Sequence, residues 1–399
     1  MKVMAVNAGS SSLKYKLYEM PKEEVICSGI VDRIGHDDGI FRIKYSGKKV
    51  EKILPLKDHA QGVQLILDAI KEYGIVSDLN EIKAVGHRIV QGGKYFSKSA
   101  IFDKDTEDKI TKLIPLDPLH APAHLVGFNA FKKALPNALA IAVFDTAFHQ
   151  TMAPEDYLFP IPYEMSEKYD CRRYGAHGTS HNYLAIKGNH DFLEDKAGTR
   201  IISCHLGSGA SLCAIRNGKC VATSMGLTPL GGLMMGTRSG DIDPSVYDYL
   251  CDTMKLSVDE MYDILNKKSG FLGVSGKSND TRDIEEGINR GDKRCILSAA
   301  LWARRVADYL GSYFVRLGGA DLIIFSAGVG ENSPYFREIV LHNVEQALRL
   351  HIDYTKNNET KGTEALISYE DSPIKVAVIP TDEEVMIARD CLRAINGTL

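Results

Sequence analysis

The first thirty residues alternate between apolar runs and small polar breaks. "KVMAVN" (2–7), "SLKYKLYEM" (12–20) and "EVICSGIV" (24–31) read as three β-strands. The break between the first two is filled by Gly9, Ser10 and Ser11, with Ser12 and Lys14 just beyond. The same order returns from Arg200: "RIISCH" as a strand, "LGSGA" as a small-residue turn, "SLCAIR" as a strand, "NG" at 217–218 as a hairpin signal, and "KCVATSM" as a third strand. The identities differ, so the repeat is one of architecture, and it predicts two related domains.

Nearly unbroken apolar runs at 81–90, 137–145, 321–328 and 374–380 predict buried strands. Helical periodicity marks "AQGVQLILDAIKEYG", with glycine at its C-terminal end, and "RCILSAALWARRVADYLGSYFVRLGG". A further helix is expected from Pro334 with Ser333 as its cap, and a last one with an acidic start in "DEEVMIARDCLRAI". Strands interleaved with helices predict an α/β fold. The proline-spotted stretch 146–175 is the expected domain boundary.

At 399 residues the chain is too long for one ordinary core. Charged residues are 25% and hydrophobic ones 44%, a globular composition. A net charge of −4 argues against a nucleic-acid partner. No uncharged apolar run reaches the ~18 residues of a membrane span, and the polar start does not read as a signal peptide. A cytoplasmic protein is expected. None of the eight cysteines forms a C-x-x-C pair, so buried, reduced thiols are expected rather than a zinc ribbon or redox motif.

The two Gly/Ser turns are candidate anion cups, because closely spaced backbone N–H groups can cradle a phosphate. A solvated hairpin with a surface lysine is the ordinary alternative for either turn alone; their matching positions favour a polyphosphate. "FSAGVGENSP" (325–334) reads as strand, glycine loop and capped helix, a nucleotide site in which a flat base lies against bare glycine. "SGKSND" (275–280) is not a Walker A motif, since Phe271 stands where its first glycine is required. "HAPAH" (120–124) and "HGTSH" (177–181) space histidines four apart, but Pro122 and Gly178 are expected to interrupt a helix, and neither segment has the glutamate of H-E-x-x-H. Arg88 and Arg238 stand beside glycines, where a guanidinium suits bidentate contact with carboxylate or phosphate. Asp145 ends a predicted buried strand, the usual place for a functional residue in a parallel sheet.

With these segments in view, "VNAGSSSLKYKLY", "GHRIVQGG", "FDTAFHQTM", "RRYGAHGTSH", "HLGSGAS", "GLTPLGGLMMGTRSGDIDP", "FSAGVGEN" and "IPTDEEVMIARD" together resemble the acetate kinase family, in family order and over nearly the whole chain. The resemblance implies two duplicated ribonuclease H-like (actin-like ATPase) domains with a central cleft, here 1–147 plus 383–399, and 148–382. It implies transfer of the ATP γ-phosphoryl group to acetate with Mg²⁺ (Mn²⁺ possible), and a homodimer. Asn7 and Glu383 would support the metal. Lys14 and Ser12 would lie near the phosphates. His205, Leu206, Gly207, Ser208, Gly209, then Asp280, Thr281, Arg282, then Gly328, Val329, Gly330, Glu331 and Asn332 would hold ATP. Arg88 and Arg238 would bind the acyl carboxylate and the moving phosphoryl group, His177 would stabilise the transition state, and Asp145 would be the essential acid. Val90, Leu119, Ala176 and Pro229 would form the acyl pocket.

Three departures from the family pattern stand out. Ala176 replaces the usual Phe, which makes room for a longer acyl chain and raises propionate as the alternative acceptor. Ser208 replaces Asn, shortening the reach toward a phosphate. Asp382 replaces Asn beside Glu383, adding negative charge near the expected metal. A non-catalytic nucleotide switch would not need Arg88, Arg238 and His177 together, and a phosphate-releasing hydrolase would not need an apolar acyl pocket.

Overall fold

A computed structural model describes residues 1–118 and 120–399. Leu119, one of the four acyl-pocket expectations, lies outside the described residues. The chain forms two compact units, Met1–Ala147 with Asp382–Leu399, and Phe148–Thr381.

In the first unit β1 (Lys2–Ala8), β2 (Ser12–Glu19) and β3 (Glu24–Asp32) form an antiparallel meander, extended by β4 (Gly39–Tyr45) and β5 (Lys48–Leu54). On its other side β1 pairs in parallel with β6 (Ile82–Ile89), and β6 with β8 (Leu139–Phe144); the two-residue β7 (Ala100–Ile101) closes the edge. The sheet order is β5-β4-β3-β2-β1-β6-β8-β7. The parallel strands are apolar almost throughout because helices cover both faces. One cover is the C-terminal helix Glu383–Ile395, which lies against β1 and β6. It comes so close that a Cβ on Gly86 would meet Ile387 Cγ2 at 2.3 Å, so glycine is required there.

The second unit repeats the plan. Here β9 (Arg200–Leu206), β10 (Ala210–Arg216) and β11 (Lys219–Thr223) form the meander, and β12 (Leu322–Ser326) pairs in parallel with β9 and with β14 (Lys375–Val378); β13 (Ala365–Leu366) flanks β14. The order is β11-β10-β9-β12-β14-β13. In both sheets the first strand of the meander sits beside the parallel strands. The repeat expected from the sequence is therefore a repeat of topology. Asn217 (φ 50°) and Gly218 (φ 72°) make the tight turn from β10 to β11. The helices Gly178–Leu193 and Lys293–Leu317 pack on this sheet.

Three local expectations need correction. "AGVGEN" is a short helix, Ala327–Asn332, not a glycine loop. Packing overrides the poor helix propensity of glycine: a Cβ on Gly330 would meet the Phe325 carbonyl carbon at 3.3 Å. Pro122 and Gly178 do not interrupt helices; they stand in the first turns of Ala121–Ala134 and Gly178–Leu193, where a missing or unused N–H costs nothing. The stretch 146–175 carries three short helical turns, Ala147–Thr151, Pro154–Tyr157 and Tyr163–Tyr169.

Candidate active site

Within the first unit, one group of polar side chains gathers at the C-terminal ends of β1, β6 and β8. Arg88 projects from β6 and meets Asp145, which follows β8 and is fully buried. Its Nη2 donates to Asp145 Oδ2 at 2.6 Å and its Nε to Oδ1 at 3.2 Å, a two-point grip that fixes the plane of the guanidinium. Nη1 lies 3.4 Å from Asn7 Oδ1, and Nε lies 3.6 Å from Glu383 Oε2. Burial pushes the Glu383 carboxyl up to about 7; Arg88 opposes that rise, while Asp145 and Glu384 add to it. Carboxylates outnumber the one guanidinium, and with the Asn7 amide they form an all-oxygen donor set that a hard divalent cation fits.

Asp117 belongs to the same neighbourhood. It is buried, its Oδ2 has no hydrogen-bond partner among the described residues, and it feels the charges of Arg88 and Asp145. Nothing in its sequence context marked it. Val90 is buried, and its N–H donates to His124 Nε2 at 3.3 Å, which leaves Nδ1–H of His124 to donate to Ala8 O at 3.0 Å. That imidazole is thus a structural clasp, held neutral by burial, which pulls it down to about 3. In the β1–β2 turn, Gly9 N–H donates to Ser12 O at 2.8 Å; Ser12 is half-buried and Lys14 exposed. Asp382 caps the C-terminal helix through Val385 N–H and accepts from Lys16 Nζ at 3.1 Å and Tyr18 Oη at 3.3 Å. Its extra charge is thus drawn into a cap and an ion pair.

Within the second unit a cavity of about 440 Å³ is lined by Gly207, Ser208, Asp280, Thr281, Arg282, Gly328, Val329 and Asn332, eight of the residues expected to hold ATP. Ser333, from the 325–334 stretch read as a nucleotide site, lines it as well, as do Gly236, Phe271, Asn279 and Glu285, which the sequence did not mark for nucleotide binding. A Cβ on Gly328 would meet nothing within 4 Å, so this wall is open for a flat group. Of the other five ATP expectations, Leu206 is packed into the core. Gly330 packs its bare backbone against β12. Glu331 Oε1 accepts from Ala327 N–H at 2.7 Å and Thr381 N–H at 3.0 Å, so its carboxylate staples the β12 turn. His205 and Gly209 lie beside His177.

His177 sits at φ 57° just before the helix Gly178–Leu193. Its Nδ1 is 2.9 Å from Ser211 Oγ, which is also 2.8 Å from His181 Nε2, and His181 Nδ1 is 2.7 Å from Ser203 Oγ. His181 is held neutral by its burial. His177 stacks on His205 with ring centres 4.0 Å apart. A Cβ on Gly209 would meet Arg238 Nη1 at 3.3 Å and His177 Nε2 at 3.6 Å, so both side chains converge on that glycine. The Arg238 bonds run to Pro229 O (3.3 Å) and Met235 Sδ (3.5 Å); among the described residues it has no carboxylate partner. Burial pulls its guanidinium below the ordinary arginine range. Ala176 is buried, and its carbonyl accepts from His149 Nε2 at 2.9 Å.

The acetokinase family pattern matches residues 2–389. The chain is 49% identical over 395 residues to the acetate kinase of Anoxybacillus flavithermus, covering 99% of each. It superposes on the crystal structure of Porphyromonas gingivalis acetate kinase with a TM-score of 0.93 at 42% identity, covering 99% of each chain. A propionate kinase from Francisella tularensis superposes with a TM-score of 0.91 at 38% identity, covering 98% of each. Continuous similarity of this extent decides the assignment: the chain belongs to the acetokinase family.

Proposed function

We propose that this chain transfers the γ-phosphoryl group of ATP reversibly to the carboxylate of acetate, giving acetyl phosphate and ADP. The observation that carries this reading is Arg238, a half-buried guanidinium without a counter-ion among the described residues, placed with His177 against the same glycine. A desolvated cation without a counter-ion is an anion site in waiting. Acetate is already an anion, so no strong base has to make the nucleophile. The barrier lies in bringing two anions together and in stabilising an in-line transition state, which calls for positioning and positive charge.

The cavity at Gly328 takes the nucleoside. Lys14 and Ser12 serve the phosphates. Arg88, oriented by Asp145, and Arg238 bind the carboxylate and the moving phosphoryl group, and His177 donates to the charge that develops there. Ser211 fixes the ring of His177 through Nδ1. Asn7 and Glu383, with Asp145 beside them, would hold Mg²⁺ (or Mn²⁺), which screens phosphate charge when bound. The family reading assigns the methyl group to Val90, Leu119, Ala176 and Pro229. The family reading also implies a homodimer acting in the cytoplasm, where ATP is at hand; sedimentation of the purified chain tests the dimer.

Trapping acyl phosphate with hydroxylamine tests the reaction. Acetate-dependent hydroxamate with stoichiometric ADP is expected. ATP cleavage independent of acetate would overturn the reading. Ala176 supports a second reading, a preference for propionate.

A further inference from the structure

Three side chains with soft or borderline donor atoms converge in the core of the second unit, on the strands and turn behind Ala176. His149 Nδ1 lies 3.2 Å from Cys220 Sγ and 4.0 Å from Cys213 Sγ, and the two sulfurs are 3.4 Å apart. Among the described residues these three form a group able to share one ion, and all are buried. The partner of His149 Nε2 is the carbonyl of Ala176, which can only accept, so Nε2 carries the proton. In the neutral ring Nδ1 therefore presents its lone pair to the sulfurs. The ring cannot swing away: a Cβ on Gly175 would meet its Cδ2 at 2.7 Å, and His181 packs edge-on against it.

We propose that His149, Cys213 and Cys220 form a buried metal site for a monovalent thiophilic ion, Cu(I), held in three-coordinate S₂N geometry. A three-coordinate ion with bonds of about 2.3 Å to sulfur and about 2.0 Å to nitrogen needs S···S near 4.0 Å and S···N near 3.7 Å. The observed edges of 3.4, 3.2 and 4.0 Å each differ from those by about 0.6 Å or less, within reach of small side-chain rotations. Ligand softness selects the metal: thiolates favour Cu(I), whereas structural Zn²⁺ takes four ligands. Cys213 and Cys220 belong to a buried apolar cluster with Ile201, Ile215, Met152 and Leu184, which keeps water from a bound ion. Both cysteines bind as thiolates: two S–H bonds break, two Cu–S bonds form, both protons leave to solvent, His149 binds through the Nδ1 lone pair, and no electron is transferred.

The test is anaerobic titration of the full-length, reduced protein with Cu(I) against a competing chelator, with X-ray absorption of the product. One copper per chain is expected, with two sulfurs and one imidazole nitrogen. Cys220→Ser should weaken retention at least about 100-fold, more than the loss of an outer-shell partner does. The double variant Cys171→Ser/Cys251→Ser, which removes the two less buried thiols, should retain copper as the parent does. No retained copper, equal retention by Cys220→Ser, or a spectrum without imidazole would each overturn the proposal. If the Cys220 variant does not fold, the spectrum of the unsubstituted protein decides.

Discussion

Arg88 and Asp145 share two hydrogen bonds, 2.6 and 3.2 Å, although 57 residues separate them. A carboxylate gripping a guanidinium in this way orients it and is poorly placed to remove a proton. Asp145→Asn keeps the shape but gives up the charge and one of the two acceptors. Turnover should fall roughly 100-fold, in the range found when one transition-state contact is lost, and the Mg²⁺ needed for half-maximal rate should rise. Rates measured across Mg²⁺ concentrations decide the matter; turnover equal to the parent's at every concentration would remove Asp145 from the mechanism.

Arg238 calls for a different substitution, because among the described residues its charge has no carboxylate partner to lose. Arg238→Lys keeps a cation but not the planar fork. Roughly 100-fold loss of kcat is expected, with the KM for ATP little changed, since Arg238 does not line the nucleotide cavity. A KM effect on ATP without loss of kcat would contradict the assigned role.

Much of this fold could be read from local pattern. The turns at Gly9 and at Asn217–Gly218 declare themselves through residue chemistry, and the buried strands through unbroken apolar runs. The strand β5 could not be read, because "KKVEKIL" is exposed at most of its positions and shows no alternation. The helix at Ala327 was hidden because its glycines disfavour helix locally and tertiary packing reverses the preference. Side-chain partnerships were the least legible. Nothing in the chain order pairs Arg88 with Asp145, buries Asp117 beside them, or brings His149 to Cys213 and Cys220. Such pairings come from strand register and packing, which only the assembled sheets fix.

Asp117 gives a pH signature. Burial pushes its carboxyl up to about 6, with Arg88 opposing. The folded state thus favours the protonated form, so the contribution to stability is present below the ordinary carboxylate range and is lost as pH rises through about 6. Above that the buried charge costs roughly 3 kcal/mol, the free-energy equivalent of the shift. Asp117→Asn should therefore gain on the parent between pH 4 and pH 8, read as the difference in denaturation midpoint at the two values. A difference that does not change with pH would show that this carboxyl titrates normally.

Arg337 is 1% exposed and is satisfied by neutral acceptors: Asn357 Oδ1 at 2.8 Å, Gly330 O at 2.9 Å, and the carbonyls of Asn357 and Thr360 at 2.7 Å each. It ties the segment carrying Gly328 and Val329 to the turn at Thr360. Arg337→Met leaves those carbonyls buried and unpaired, which should destabilise the protein by roughly 3–5 kcal/mol. The KM for ATP should rise while that for acetate holds. Urea denaturation and paired KM measurements check both halves, and Arg337→Lys should restore part of each.

Ala176 is expected to set the acceptor. The family resemblance puts an aromatic ring where this chain has a methyl group, and the backbone there is pinned by His149 through the Ala176 carbonyl, so the chain cannot close the gap by shifting. Room for one more methylene is worth roughly 1–3 kcal/mol of discrimination in an apolar pocket. The parent should accept propionate well, with kcat/KM within about tenfold of acetate, and Ala176→Phe should lower propionate by roughly 10- to 100-fold while sparing acetate. Competition assays with both acids give the ratio directly. If the parent already rejects propionate as strongly as the phenylalanine variant does, neighbouring side chains fill the space and Ala176 does not set the specificity.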